Sequence, residues 1–346
     1  MEQLPLDTDQ NMDLEEAEIQ VLASVFGAES DKQPTDKAAL ESRGQERYWI
    51  FREDWSHAFD SLVNKALIDG DDDGYHLNEQ SRSLAECYFK ERPDYYWYFY
   101  QHFYEAANSS DAHSQFCEQV FGLDLCQEGM TDMESVQLLI DKLTIQPGQQ
   151  IADLGCGAGG ISEWISDQTG TAVTGVDYSA VAIATAFSRT QGKRSRLHFV
   201  EADLNTLDLP DKSFDAAIVV DAIYWVDNEK DVLARIVETL KPGGKLAILI
   251  VHLLEYCDAP EELEIDKTYI ASALDDLKLN YQSFDLTDSF SRFWPRAKQT
   301  MLALKDDFER EGNGYICEHW LREANEEFLP ALEADELRRY LYLVHT

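Results

Sequence analysis

The chain has 346 residues, with 66 acidic side chains against 29 basic ones and a formal net charge of −37. That balance repels phosphate backbones, and no basic patch offsets it, so nucleic acid is excluded as an expected partner. A hydrophobic content of 44% supports a real core, while no apolar run approaches the roughly 18 residues of a membrane helix, so no membrane partner is expected.

In chain order, residues 1–45 are polar and acidic. They read as a partly flexible tail with one short helix at Leu14–Phe26. The N-terminus, Met1 to Asp7, lacks a signal-peptide pattern. The cysteines (Cys87, Cys117, Cys126, Cys156, Cys257, Cys317) are scattered without a Cys-x-x-Cys pair. No disulfide framework and no metal site is expected, and a reducing cytoplasm is the expected location.

Residues 46–130 read as a mainly helical cap and lid. Trp55, Ala58, Phe59, Leu62, Val63, Ala66 and Leu67 recur at helical spacing. Asp69–Gly74 reads as a turn, Tyr75–Leu77 as a short extended piece, and Asn78 as the cap of another helix. Helix, turn, strand, helix resembles a winged-helix unit; a helical cap of another kind fits as well. Pro93–Tyr104 is the densest aromatic run in the chain. Its rings serve either as packing or as a wall that holds a cation on ring faces.

Residues 131–346 carry the strongest pattern. Gln149–Leu154 reads as a strand that stops in Gly155, Gly157 and Gly159 and restarts as a helix. Glycines there let the backbone turn tightly and approach a ligand. Three readings compete: a dinucleotide fingerprint, a nucleotide phosphate loop and a plain turn. No Gly-Lys-Ser/Thr follows, which disfavours the phosphate loop. Downstream, Thr171–Val176 ends in Asp177-Tyr178-Ser179, Leu197–Glu201 in Ala202-Asp203-Leu204, and Ala216–Val220 in Asp221. Lys245–Val251 ends in His252, and Arg338–Val344 reads as a last strand. Strands alternating with helices of this length imply an α/β, doubly wound, mostly parallel sheet.

Five segments in this order resemble the class I S-adenosylmethionine-dependent methyltransferases. They are Asp153-Leu-Gly-Cys-Gly-Ala-Gly159, Val176–Ser179, Glu201–Leu204, Ser213–Val220 and Leu240–Leu246. The resemblance implies a seven-stranded Rossmann-like methyltransferase fold, with an insert at about 255–335, and S-adenosyl-L-methionine as cofactor. It implies that Gly155, Gly157 and Gly159 pass beneath the methionine part, and that Asp153 orders the turn or reaches the cofactor's amino group. Asp177 would accept the ribose hydroxyls and Asp203 the adenine amine, with Tyr178 and Leu204 flanking the ring. Asp221 would sit where the methionine end meets the acceptor. Carboxylates suit a sulfonium, whereas a pyrophosphate prefers positive charge.

The implied reaction is methyl transfer to a small-molecule acceptor. An amine is favoured by the acidity and the aromatic content; oxygen, sulfur and carbon acceptors stay open, as does a non-catalytic binding module. The acidity is explained either by solubility or by steering of a cationic acceptor. His252, His113 and Tyr224 are the candidate catalytic side chains. Phe116 or Gln127 is expected near the cofactor, and Trp225, Trp294, Arg296 and Trp320 are candidates for the acceptor side. A winged-helix-like unit in this family often serves dimerisation, so a homodimer is among the expected assemblies.

Overall fold

The computed structural model describes residues 13–92 and 94–346. The chain divides into two compact units, 1–100 and 101–346, so the division lies upstream of the boundary expected near residue 130.

In the first unit, α1 (Glu16–Ser30) and α2 (Lys37–Tyr48) replace most of the expected tail. α1 is buried nearly all round: Ile19, Val21, Leu22 and Val25 are at most 8% exposed. The expectation of flexibility is corrected for residues 13–45, and residues 1–12 lie outside the described residues. Composition misled because two polar side chains of α1, Glu18 and Gln20, are buried with partners. Glu18 takes Lys65 Nζ at 2.6 Å and the Ser61 hydroxyl at 2.7 Å. Gln20 donates to the Phe51 carbonyl and accepts from the Trp55 indole. A buried polar group costs little once its hydrogen bonds are made.

α3 (Ala58–Asn64) leads into β1 (Ile68–Asp71), which pairs antiparallel with β2 (Gly74–Leu77), and α4 (Glu79–Glu91) follows. Residues 69–71 are therefore strand, not turn. The reversal is confined to Asp72–Asp73 and held by Asp71 Oδ1, which accepts the Asp73 amide at 2.8 Å. Asn78 caps α4 by accepting two backbone N–H groups, from Gln80 and Ser81. The aromatic run forms α5 (Tyr95–Ala107).

The second unit holds α6 (Asp111–Val120), α7 (Met133–Leu143), β3 (Gln150–Leu154), α8 (Gly160–Thr169), β4 (Ala172–Asp177), α9 (Ala180–Arg189), β5 (Leu197–Glu201), β6 (Phe214–Val220), α10 (Glu229–Thr239) and β7 (Leu240–Leu253). It continues with α11 (Tyr269–Asp276), β8 (Asn280–Asp285), α12 (Thr287–Phe290), α13 (Phe293–Arg310), α14 (Gly314–Glu323), a π-helical turn at Ala324–Phe328, α15 (Leu329–Glu333) and β9 (Leu337–His345). The sheet has seven strands in the order β5-β4-β3-β6-β7-β9-β8, with β9 antiparallel to both its neighbours. This is the Rossmann-like methyltransferase architecture expected from the sequence.

Strand side chains alternate between two faces. Ile151, Val173, Ile218 and Leu249 pack under α7, α8 and α9. Ala152, Val219, Ile248 and Val344 pack under α10 and α11. Full burial of each Ile, Val or Leu side chain among them is worth about 1.5–3 kcal/mol. Within the expected insert, β8 joins the sheet and α11 packs on it. The chain order reverses direction across the sheet between β3 and β6, which opens a crevice at their carboxyl ends.

Candidate functional site

The crevice is built around the turn after β3. Gly155, Gly157 and Gly159 have φ of 83°, 51° and 72°, a left-handed region that strains other residues. Space is also short. A Cβ on Gly155 would lie 2.2 Å from the Ala222 Cβ, and one on Gly157 would lie 2.9 Å from the Tyr104 hydroxyl. The turn is tied to β4, because the amides of Gly155 and Cys156 both donate to the Val176 carbonyl.

Asp177, at the tip of β4, adds a second tie. Its carboxylate accepts the Gly157 amide at 2.8 Å and the Ser179 amide at 2.9 Å. Burial raises its pKa, and the backbone N–H donors oppose that rise. The Tyr178 backbone also donates toward this carboxylate, and the acceptor capacity left over suits ligand hydroxyls. The Tyr178 ring is 44% exposed at the same tip. Asp203 is exposed, accepts from Asn205 through one oxygen, and precedes the half-buried Leu204. An exposed carboxylate, an exposed ring and a carboxylate with spare lone pairs suit an amine, a heterocycle and a pair of hydroxyls, respectively.

Asp153 is 3% exposed and accepts the Ser162 hydroxyl at 2.5 Å, which fastens β3 to α8. Burial pushes its pKa up to about 6. Of its two expected roles, ordering the turn is the one this contact serves.

Asp221 differs from expectation. It is not an open carboxylate facing a cation, because the Arg339 guanidinium from β9 engages both its oxygens. It also accepts from the Thr131 hydroxyl at 2.6 Å, the Met130 amide at 3.2 Å and the Tyr224 hydroxyl at 3.2 Å. Tyr224 in turn accepts the Val251 amide at 2.8 Å. Burial first, then the Asp221 charge, raises its pKa well above the usual tyrosine range. Tyr224 is therefore a bridge between strand ends rather than a base.

The two histidines are corrected in the same way. His252 is 3% exposed and lies among the rings of Tyr269, Tyr340 and Tyr342. Burial lowers its pKa to about 3, and Arg339 adds to the shift. His113 is fully buried against Phe103 and Cys117, and burial lowers its pKa to about 4. A strand end or helix face marks position in the chain, not access to a crevice. Phe116 packs on Trp320 at 4.9 Å, and Trp294 stacks on Phe328 at 4.2 Å, so these rings form core. Gln127 accepts the Leu125 amide, and Arg296 lies 3.6 Å from Asp132. Trp225 is 46% exposed after β6.

Two further features involve residues that were not singled out as site residues from the sequence. The first is Tyr104, fully buried beneath Gly157; burial and then the Asp177 and Glu128 charges raise its pKa well above the usual value. The second is His319, with Glu128 and Glu323 carboxylates each 3.5 Å from Nε2. Burial works to lower its pKa, but Glu323 and Glu128 outweigh it and hold it raised. Neighbouring Glu327 is pushed up to about 7 by burial, then by Glu323 and Glu255. The i, i+4 spacing of His319 and Glu323 was visible; Glu128 comes from a distant loop.

Residues 152–248 match the family described as a methyltransferase domain. The chain is 32% identical over 143 residues to phosphoethanolamine N-methyltransferase 1 of Zea mays, an alignment covering 41% of this chain and 27% of that enzyme. It is 27% identical over 211 residues to a sterol 24-C-methyltransferase of Gibberella zeae, covering 59% and 53%. The chain thus spans little more than a quarter of the Zea mays relative, and 28% of a phosphoethanolamine N-methyltransferase of Arabidopsis thaliana. Among solved structures, Haemonchus contortus phosphoethanolamine N-methyltransferase 2 in complex with S-adenosyl-L-methionine aligns with a TM-score of 0.57 at 19% identity, over 71% of this chain and 60% of that one. The Mycobacterium tuberculosis cyclopropane synthase MmaA2 aligns with a TM-score of 0.54 at 14% identity, over 71% and 98%.

Proposed function

We propose that this chain, whose central segment is a class I S-adenosylmethionine-dependent methyltransferase domain, moves a methyl group from S-adenosyl-L-methionine to a small-molecule amine. The observation that carries this reading is the turn at Gly155–Gly159, fastened to the carboxylate of Asp177 at the tip of the next strand. In this reading Asp177 holds the ribose hydroxyls with its remaining lone pairs, Asp203 takes the adenine amine, and Tyr178 and Leu204 flank the ring. The cofactor supplies an electrophilic methyl on a sulfonium.

The chain's own task is alignment and exclusion of water. The acceptor lone pair must lie in line with the methyl–sulfur bond, and a dry crevice strengthens every charge interaction in it. Three features support an amine. The net charge is −37, carboxylates of Glu128 and Glu323 flank His319, and several relatives are named as phosphoethanolamine N-methyltransferases. An amine arrives protonated and must shed that proton before it attacks. A carbon acceptor is the second reading, favoured by the likeness to sterol 24-C-methyltransferases. The expected cytoplasmic location and homodimer belong to the same proposal.

The test is incubation with methyl-labelled S-adenosylmethionine and separate pools of amines, phenols, thiols, carboxylates and sterols. Label in the amine pool is expected. Label in the sterol pool alone would select the second reading. Transfer to none, with tight cofactor binding, would point to a binding module.

A further inference from the structure

Arg339 is 2% exposed and sits on the last strand, far in sequence from every motif of the glycine turn. Because β9 runs antiparallel, its first residues lie at the carboxyl ends of the parallel strands, where Arg339 is opposite Val251. From there its guanidinium engages both oxygens of Asp221, and Nη2 also donates to the Thr131 hydroxyl at 2.6 Å. The Phe290 ring lies 5.1 Å beneath the guanidinium. The Arg339 backbone amide donates to the Thr287 hydroxyl, which fixes the strand end itself.

Asp221 has φ of +50°, uncommon for a residue with a side chain. Its carboxylate is the point where three segments meet. Arg339 comes from β9 and Tyr224 from the turn after β6; Met130 and Thr131 come from the strap before α7. The strap passes close: a Cβ on Gly129 would lie 3.9 Å from Asp221 Oδ2. The next residue, Ala222, is the one that abuts Gly155. The pair is therefore joined on one side to the strap and on the other to the glycine turn.

We infer that Arg339 is a positioning residue for the cofactor site: by clamping Asp221 and Thr131 it pins the strap 128–131 over the crevice and fixes Ala222 against Gly155. This rests on the proposed function only in taking the crevice as the cofactor site. A buried ion pair is weak evidence of stability in itself, since desolvation offsets the attraction. What it supplies here is one arrangement of three chain segments. The planar fork of arginine holds Asp221 bidentately and Thr131 at once; lysine offers a point charge and cannot.

The test compares Arg339→Lys and Thr131→Val with the wild-type chain. Each is measured by S-adenosylhomocysteine titration calorimetry, amide hydrogen exchange over 127–133 and 154–160 without ligand, and thermal unfolding. Both substitutions are expected to weaken S-adenosylhomocysteine binding at least tenfold and to speed exchange of the strap at least fivefold, while the melting midpoint falls by a few degrees. Thr131→Val keeps the ion pair, so it reads the strap even where Arg339→Lys folds poorly. Unchanged exchange of the strap in both variants would overturn the inference, as would unchanged affinity beside a lowered midpoint. If the wild-type chain itself fails to bind S-adenosylhomocysteine, the functional reading falls, and strap exchange still decides the role of Arg339.

Discussion

Replacing Asp177 by alanine separates a ligand-holding carboxylate from one that only shapes a turn. In the folded chain this carboxylate accepts two amides, from Gly157 and Ser179. If it also takes the ribose hydroxyls, Asp177→Ala removes two hydrogen bonds to a charged group, each worth about 1.5–3 kcal/mol. Counting only one of the two bonds at its smaller value, the loss is at least about 1.5 kcal/mol, a little over tenfold in affinity. Asp177→Asn is expected to lose nearly as much, because its amide NH2 must face one of the two backbone donors. Folding is expected to suffer as well, because alanine leaves the Gly157 and Ser179 amides without their acceptor, although relief of the buried charge's desolvation offsets part of that cost. Titration calorimetry with S-adenosylhomocysteine beside thermal unfolding resolves the two effects. A dissociation constant within threefold of wild type, with a lowered melting midpoint, would refute the ribose assignment.

Other substitutions probe the rest of the site. Gly155→Ala combines a left-handed backbone with a Cβ contact at 2.2 Å; we expect a cost of about 2–4 kcal/mol and loss of detectable cofactor binding by calorimetry. Asp203→Ala should weaken S-adenosylhomocysteine about five- to tenfold, with little change toward an analogue lacking the adenine amine; equal losses for both would remove the adenine role. His252→Phe should leave the turnover number within about threefold of wild type, because the ring is packed among tyrosines. It should also blunt acid unfolding. The folded pKa of about 3 lies below the unfolded value near 6.5. The unfolded chain therefore binds the extra proton between those pH values, and stability falls as pH drops through that window. The full shift corresponds to roughly 5 kcal/mol. Denaturant midpoints of the variant and wild type that fall in parallel from pH 6.5 to 3 would contradict this.

The fold, and the strand-end positions of the residues proposed to hold the donor, were legible because their signals are local. Gly155 to Gly159, Asp177 and Asp203 sit where short strands end, and alternation of strand and helix fixes where those ends meet. The environment of Asp221 was not legible. Its partner Arg339 lies 118 positions away, and only the antiparallel placement of β9 brings the two together. His252 illustrates the converse: its position at a strand end was read correctly, but the tyrosines that bury it come from α11 and β9. The helix α1 was undervalued since the partners of Glu18 and Gln20, among them Lys65 and Trp55, are far along the chain. Composition alone reads such residues as solvated.

The most direct test is a crystal structure of the chain with S-adenosylhomocysteine bound. The ribose hydroxyls are expected on the Asp177 carboxylate, the adenine beside Asp203 and Leu204, and the methionine portion over the Gly155–Gly159 turn. A ligand bound elsewhere, or one whose ribose is held by groups other than Asp177, would contradict the assignment of this crevice as the methyl-donor site.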